Sequence, residues 1–95
     1  MNKYENLYII TTEIEEEAIK GKIEKFSGIV TSNGGEIVKV DEWGKRRLAY
    51  PIDYKTDGYY VLMTFNGEPE LPKELERNLK NDENILRFIV IRLDD

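Results

Sequence analysis

From Ile14 to Val30 the apolar residues return at steps of three and four. Ile14, Ala18, Ile19, Ile23, Phe26, Ile29 and Val30 form one stripe along residues 13–32. That spacing predicts an amphipathic helix, which must lay its stripe on another element to be stable. Glu13, Glu15, Glu16 and Glu17 suit the positive end of its dipole, and Thr11 or Thr12 is placed to cap it. Asn33-Gly34-Gly35 stops it, because Asn and Gly accept the left-handed conformation that ends helices.

The flanking segments supply the other layer. Residues 4–11 (YENLYIIT) are apolar, aromatic and β-branched, as a strand requires. A long strand is expected from residue 36 to about 50; Pro51 at its far end cannot donate a ladder hydrogen bond, which places it at a sheet edge. Asp57-Gly58 reads as a turn before a strand over 59–65. Pro69 and Pro72 suit the start of a second helix, with Leu71, Leu75 and Leu79 on its buried face, and residues 85–93 (ILRFIVIRL) form the last strand. The order β-α-β-β-α-β is the split arrangement of ferredoxin-like folds. One α+β domain over residues 1–95 is predicted, with a four-stranded antiparallel sheet in the order 4-1-3-2 and both helices on one face. Phe26, Val30, Leu48, Met63, Leu75, Leu79, Phe88 and Val90 are expected between helices and sheet.

Composition narrows what such a domain can do. The chain has no cysteine and no histidine, so thiolate and imidazole metal sites and the Ser-His pair are absent. Carboxylates are plentiful, but 19 acids in 95 residues meet by chance and read as solvated surface. No cofactor and no catalytic residue is indicated. No apolar run approaches the roughly 20 residues of a membrane helix. The first residues lack a basic segment followed by an apolar core, so a cytoplasmic chain is expected.

One face of the sheet has no helix to cover it, and a wet face should alternate with polar residues. The central strands do not obey. Leu7, Ile9, Tyr60, Leu62, Ile89 and Ile91 would form an apolar patch on adjoining strands, which marks an interaction surface. With Trp43 and Tyr50 at its border, these are the candidates for contact with a protein partner.

Residues 43–52, WGKRRLAYPI, pack three cations and two aromatic rings into an otherwise acidic chain of net charge −5. Simple alternation puts Trp43, Lys45, Arg47 and Ala49 on one face, and Gly44, Arg46, Leu48 and Tyr50 on the other. Gly44 is a candidate for a bulge that would shift this register. Charges on an edge strand guard against stray pairing. They also suit RNA, with guanidinium forks for phosphates and rings for bases. Lys3, Lys45, Arg46, Arg47, Arg87 and Arg92 are the cations from which RNA contacts could be drawn.

Residues 7–10 and 58–65 resemble the two aromatic motifs of RNA-recognition motif domains, which share this topology. The match is poor: Asp57 stands where a basic residue should precede the glycine, and no Gly or Ala separates the tyrosines. A stronger resemblance covers nearly the whole chain. Glu42-Trp43-Gly44-Lys45-Arg46-Arg47-Leu48-Ala49-Tyr50-Pro51-Ile52 looks like the signature of the family of the sixth protein of the bacterial small ribosomal subunit. Lys3-Tyr4-Glu5, Gly58-Tyr59-Tyr60-Val61-Leu62-Met63 and residues 87–92 fit the same family. The resemblance implies a structural ribosomal protein, monomeric alone, that binds the central domain of small-subunit RNA together with the eighteenth protein of that subunit. Many relatives carry a charged C-terminal tail; here Leu93-Asp94-Asp95 follows the last strand, so such contacts are not carried over. The rival readings are an RNA-recognition-motif-like module, a homodimeric ligand sensor using the open face, and an acylphosphatase. The last lacks its glycine-rich phosphate loop with a neighbouring arginine.

Overall fold

A computed structural model describes residues 1–93; Asp94 and Asp95 lie outside it. Its elements are β1 (Asn2–Ile10), α1 (Glu16–Ser32), β2 (Glu36–Ile52), β3 (Lys55–Gly67), α2 (Leu71–Lys80) and β4 (Ile85–Arg92). The strands lie in the order β2-β3-β1-β4, every neighbouring pair antiparallel. This is the ferredoxin-like arrangement expected, with β2 and β4 at the edges.

Alternation along the strands builds the core. Tyr4, Tyr8 and Ile10 of β1 and Val61, Met63 and Phe65 of β3 meet Ile19, Ile23, Phe26 and Val30 of α1 and Leu71, Leu75 and Leu79 of α2. The Tyr4 ring stacks on Phe65 at 5.4 Å, and Tyr8 meets Phe26 edge-on at 5.3 Å. Three expected core residues depart from this set. Phe88 and Val90 pack against it but remain half-buried, because β4 is an edge strand with no neighbour beyond it. Leu48 is buried, yet on the other side of the sheet, in a cleft with Ile9, Ile52 and Tyr60.

Two local expectations also change. Helix α1 starts at Glu16 rather than residue 13, and neither threonine caps it. Both are occupied in the preceding loop: Thr11 Oγ1 accepts from the Glu13 N–H at 3.2 Å, and Thr12 Oγ1 donates to Asp57 at 2.7 Å. Its other end is as predicted. The Gly35 N–H bonds Val30 O at 2.8 Å, the Gly34 N–H bonds Thr31 O at 3.2 Å, and Gly34 has φ +80°, a Schellman ending. The β2–β3 turn falls at Asp53 and Tyr54, with φ 49° and 66°, and not at Asp57-Gly58. Two consecutive positive φ values match the twist of a tight hairpin. Gly58 is instead a close-approach residue inside β3, where a Cβ would lie 2.3 Å from Ile9 Cγ2.

Polar groups under the sheet yield two predictions. Asp82 has a side chain only 2% exposed, and Lys22 and Lys25 both donate to its Oδ2, at 2.8 and 2.9 Å. Its Oδ1 accepts the Asn84 N–H at 2.9 Å. Burial pushes this carboxyl up, but the bonds from Lys22, Lys25 and Asn84 outweigh it and hold the pKa below the usual 3.8. A depressed carboxylate stabilises the fold fully above its unfolded pKa, and the gain is lost as pH falls through the folded value. Asp82→Asn should cost about 1–3 kcal/mol at neutral pH. It should also flatten the acid limb of stability below about pH 4 in urea titrations.

Asn6 is fully buried on the helix side of β1, opposite Met63 and Val90, and neither amide atom has a hydrogen-bond partner. A desolvated, unpaired amide costs about 1–3 kcal/mol. Asn6→Leu, nearly equal in shape, should therefore raise the denaturation midpoint.

Candidate protein and nucleic-acid interface

The uncovered face of the sheet is built from odd residues of β1 and β4 and even residues of β3. Leu7 stands between Leu62 and Ile89, an apolar row across three strands. Ile9 stands between Tyr60 and Arg87 in the next row, and Glu5 between Thr64 and Ile91 in the one before. Ile89 and Ile91 are 55% and 43% exposed; Leu7, Tyr60 and Leu62 are half-buried. An open depression of about 390 Å³ lies among Leu7, Ile9, Tyr60, Arg87 and Ile89. One member of the expected patch is not exposed. Ile9 is 6% exposed because Gly58 lets it sink towards β3, and Leu48, Ile52 and Tyr60 line the cleft above it. Leu48 is thereby buried on this face and not in the helix-side core.

A bulge in β2 decides where the basic block points. The register slips between Glu42 and Gly44, where Gly44 takes φ +82°. After it, Gly44, Lys45, Arg46 and Arg47 stand opposite Tyr60, Tyr59, Gly58 and Asp57. Arg46 therefore lies over the open face, while Lys45 and Arg47 lie on the helix side. Trp43 does not accompany Lys45 as simple alternation would have it. The bulge sends its ring over the open face, where it stacks on Tyr60 at 6.2 Å with planes 11° apart. The Arg46 guanidinium sits 5.6 Å from the Trp43 ring.

On the helix side, Lys45 Nζ is 3.5 Å from Asp57. The pair is exposed and contributes little stability. The Thr12 hydroxyl, aided by Lys45, keeps the Asp57 carboxyl below its usual range. Tyr59 donates to Glu42 Oε1 at 2.8 Å, and that bond pushes its phenol upward.

Beyond Arg47 the β2–β3 hairpin leaves the regular ladder, which resumes only at Ile52 opposite Lys55. This arm leans across the open face until Tyr50 meets Arg87 of the far strand. Arg87 donates to the Tyr50 hydroxyl, with its guanidinium 5.7 Å from the ring. Sequence alone carries no signal for this crossing, nor for Tyr54, which stands wholly exposed at the tip. The remaining cations lie elsewhere. Lys3 is exposed on the open face too, but at the opposite end of β1, where it stands across from Asn66. Arg92 stands opposite the buried Tyr4, hence on the helix side, and donates to Asn2 Oδ1 at 3.0 Å. Of the six candidate cations, Arg46 and Arg87 gather at the end of the open face that holds Ile9 and Tyr60, and Lys3 stands on that face at its other end.

Among the described residues no cluster of three or more His, Cys, Asp or Glu side chains could hold a metal ion, and no helix is long and apolar enough to cross a membrane. What the fold presents is a ferredoxin-like binding domain with one apolar, arginine-rimmed sheet face. Comparison with known proteins agrees. The family model described as ribosomal protein S6 matches residues 3–92, so the chain belongs to the ribosomal protein S6 family. It is 48% identical over 95 residues to the small ribosomal subunit protein bS6 of Caldanaerobacter subterraneus, covering all of both chains. It is 50% identical over 95 residues to that of Thermoanaerobacter pseudethanolicus, again over the full length of each. The crystal structure of the 30S ribosomal protein S6 of Thermotoga maritima superposes with a TM-score of 0.93 at 28% identity, covering 97% of this chain and 87% of that one. The chain is thus a structural protein of the small ribosomal subunit and not an enzyme.

Proposed function

We propose that this chain binds the central domain of small-subunit ribosomal RNA jointly with the eighteenth protein of that subunit, and that the open sheet face seats that protein. The observation that carries the reading is the row Leu62–Leu7–Ile89 with Ile91 beside it, an apolar surface on a face with no helix over it. The net charge of −5 supports a joint mode. At long range an acidic protein is repelled by a phosphate backbone, so a basic partner docked on an apolar face supplies attraction that this chain lacks. Alone the chain is a monomer. Trp43 and Tyr50 border the seat, and a subset of Lys3, Lys45, Arg46, Arg47, Arg87 and Arg92 touches RNA within the complex.

Co-purification from cell extract tests the assignment. The bound fraction should contain the eighteenth protein and central-domain fragments of small-subunit RNA. Recovery of neither would refute it. The cations are separable by salt. In complexes premixed with the eighteenth protein, removing a cation that touches one phosphate should lower the slope of log affinity against log salt by about 0.7–0.9. Arg46→Ala and Arg87→Ala are the variants expected to show this. Unchanged slopes for these two and for Lys45→Ala and Arg47→Ala would leave the block as edge protection.

A further inference from the structure

The β2–β3 arm, taken from Trp43 through the turn to Asp57, holds a group of rings at the rim of the apolar seat and beyond it. Every exposed aromatic side chain among the described residues lies on it: Trp43 is 38% exposed, Tyr50 57% and Tyr54 101%. Two of the three rings already carry a guanidinium, Arg46 at 5.6 Å from Trp43 and Arg87 at 5.7 Å from Tyr50. Residues 43–57 include Lys45, Arg46, Arg47 and Lys55 against Asp53 and Asp57, a basic segment in an acidic chain. Lys45 faces Asp57 at 3.5 Å and Lys55 faces Glu13 at 3.6 Å, so Arg46 and Arg47 carry the excess of positive charge. At the tip, Tyr54 occupies φ 66°, a conformation that glycine or asparagine adopts more cheaply and that favours no bulky ring.

We infer that this arm is a stacking platform for unpaired nucleotides of RNA, with Tyr50 and Tyr54 as the base-stacking rings and Arg46 and Arg87 as the phosphate-facing cations. Rings beside guanidinium groups are the chemistry that takes single-stranded nucleic acid, because every base has a π-face and every link a phosphate. Rings and arginines suit protein interfaces as well; what favours RNA here is the excess of cations on a segment of an otherwise acidic chain, while the Leu7, Leu62 and Ile89 row already offers a protein an uncharged contact. Beside the Arg87 contact Tyr50 remains 57% exposed, which leaves room for a base, and the exposed Tyr54 ring extends the platform outward. This deepens the ribosomal reading by naming unpaired nucleotides as what the arm takes, and it relies on that reading only for which RNA supplies them.

Trp43 is the single tryptophan of the chain, so its fluorescence reports on the platform directly. An oligouridylate of about eight nucleotides and an RNA duplex of similar charge would each be titrated into the full-length protein at about 50 mM salt. The single strand should quench Trp43 saturably and bind at least about tenfold more tightly than the duplex. Tyr50→Ala and Tyr54→Ala should each weaken it by about 5- to 150-fold. Tyr50→Phe and Tyr54→Phe, which keep the rings, should bind like the parent protein. Tyr54 has no packing to lose, so its variants report on RNA even if Tyr50→Ala disturbs the arm. Equal affinity for single strand and duplex would reduce the arm to a phosphate surface and overturn the proposal. So would an absence of quenching, or unchanged affinity in both alanine variants. If oligouridylate does not bind and Tyr54→Ala loses the eighteenth protein instead, the arm belongs to the protein contact and the proposal fails. Binding of that protein is measured separately, through the apolar row, so either reading can fail while the other stands.

Discussion

Leu62→Asp and Ile89→Asp should each leave the monomer folded while reducing its affinity for the eighteenth protein by more than about 100-fold. Both side chains lie on the open face, in the row that Leu7 completes, and Ile89 is 55% exposed in the free chain. A carboxylate there meets water in the monomer and costs the fold on the order of 1 kcal/mol, as an unfavourable strand residue does. In the complex the same group would be sealed against apolar partner atoms. Burying a charge without a counter-ion costs several kcal/mol, enough to remove detectable binding. Titration calorimetry measures the loss, and far-ultraviolet circular dichroism confirms that the variants are folded. Unchanged affinity in both would move the partner site away from this face, most directly to the free edge of β2.

The second large effect lies on the other side of the sheet. Leu75→Ala and Leu79→Ala should each destabilise the domain by about 2–5 kcal/mol in equilibrium denaturation. Leu75 is fully buried and Leu79 is 1% exposed, both on the face of α2 that meets the core. Large-to-small changes lose transfer energy and leave a cavity that a rigid sheet cannot close. That range is a substantial share of the about 5–15 kcal/mol by which small domains are stable. Values near zero at both positions would mean that α2 does not pack as described.

Strong periodicity makes the helices and the strand order legible, because the apolar spacing of α1 and α2 has one physical solution. What escapes is tertiary. The pair Asp57-Gly58 carries a turn signal, yet its glycine makes room for Ile9 of a different strand, a contact that no local pattern reports. Leu48 reads as a helix-side core residue, since nothing local shows that the arm folds over the open face. Trp43 is displaced by the bulge at Gly44, which simple alternation does not include even though the glycine hints at it. The apolar patch is legible, apart from Ile9, because a sheet with helices on one face must account for apolar residues on the other. The six cations are legible as residues but not as a surface, and only geometry separates Arg46 and Arg87 from Lys3 and Arg92.

Joint recognition of RNA is the centre of the account, and a filter-binding titration of central-domain RNA tests it most directly. Three samples suffice: this chain alone, the eighteenth protein alone, and the two premixed, at about physiological salt. The acidic chain alone should bind at least about 100-fold more weakly than the premixed pair, and the pair should bind more tightly than the eighteenth protein alone. Ile89→Asp should abolish that gain. Tight binding by this chain alone, or a premixed affinity equal to that of the eighteenth protein by itself, would contradict the account.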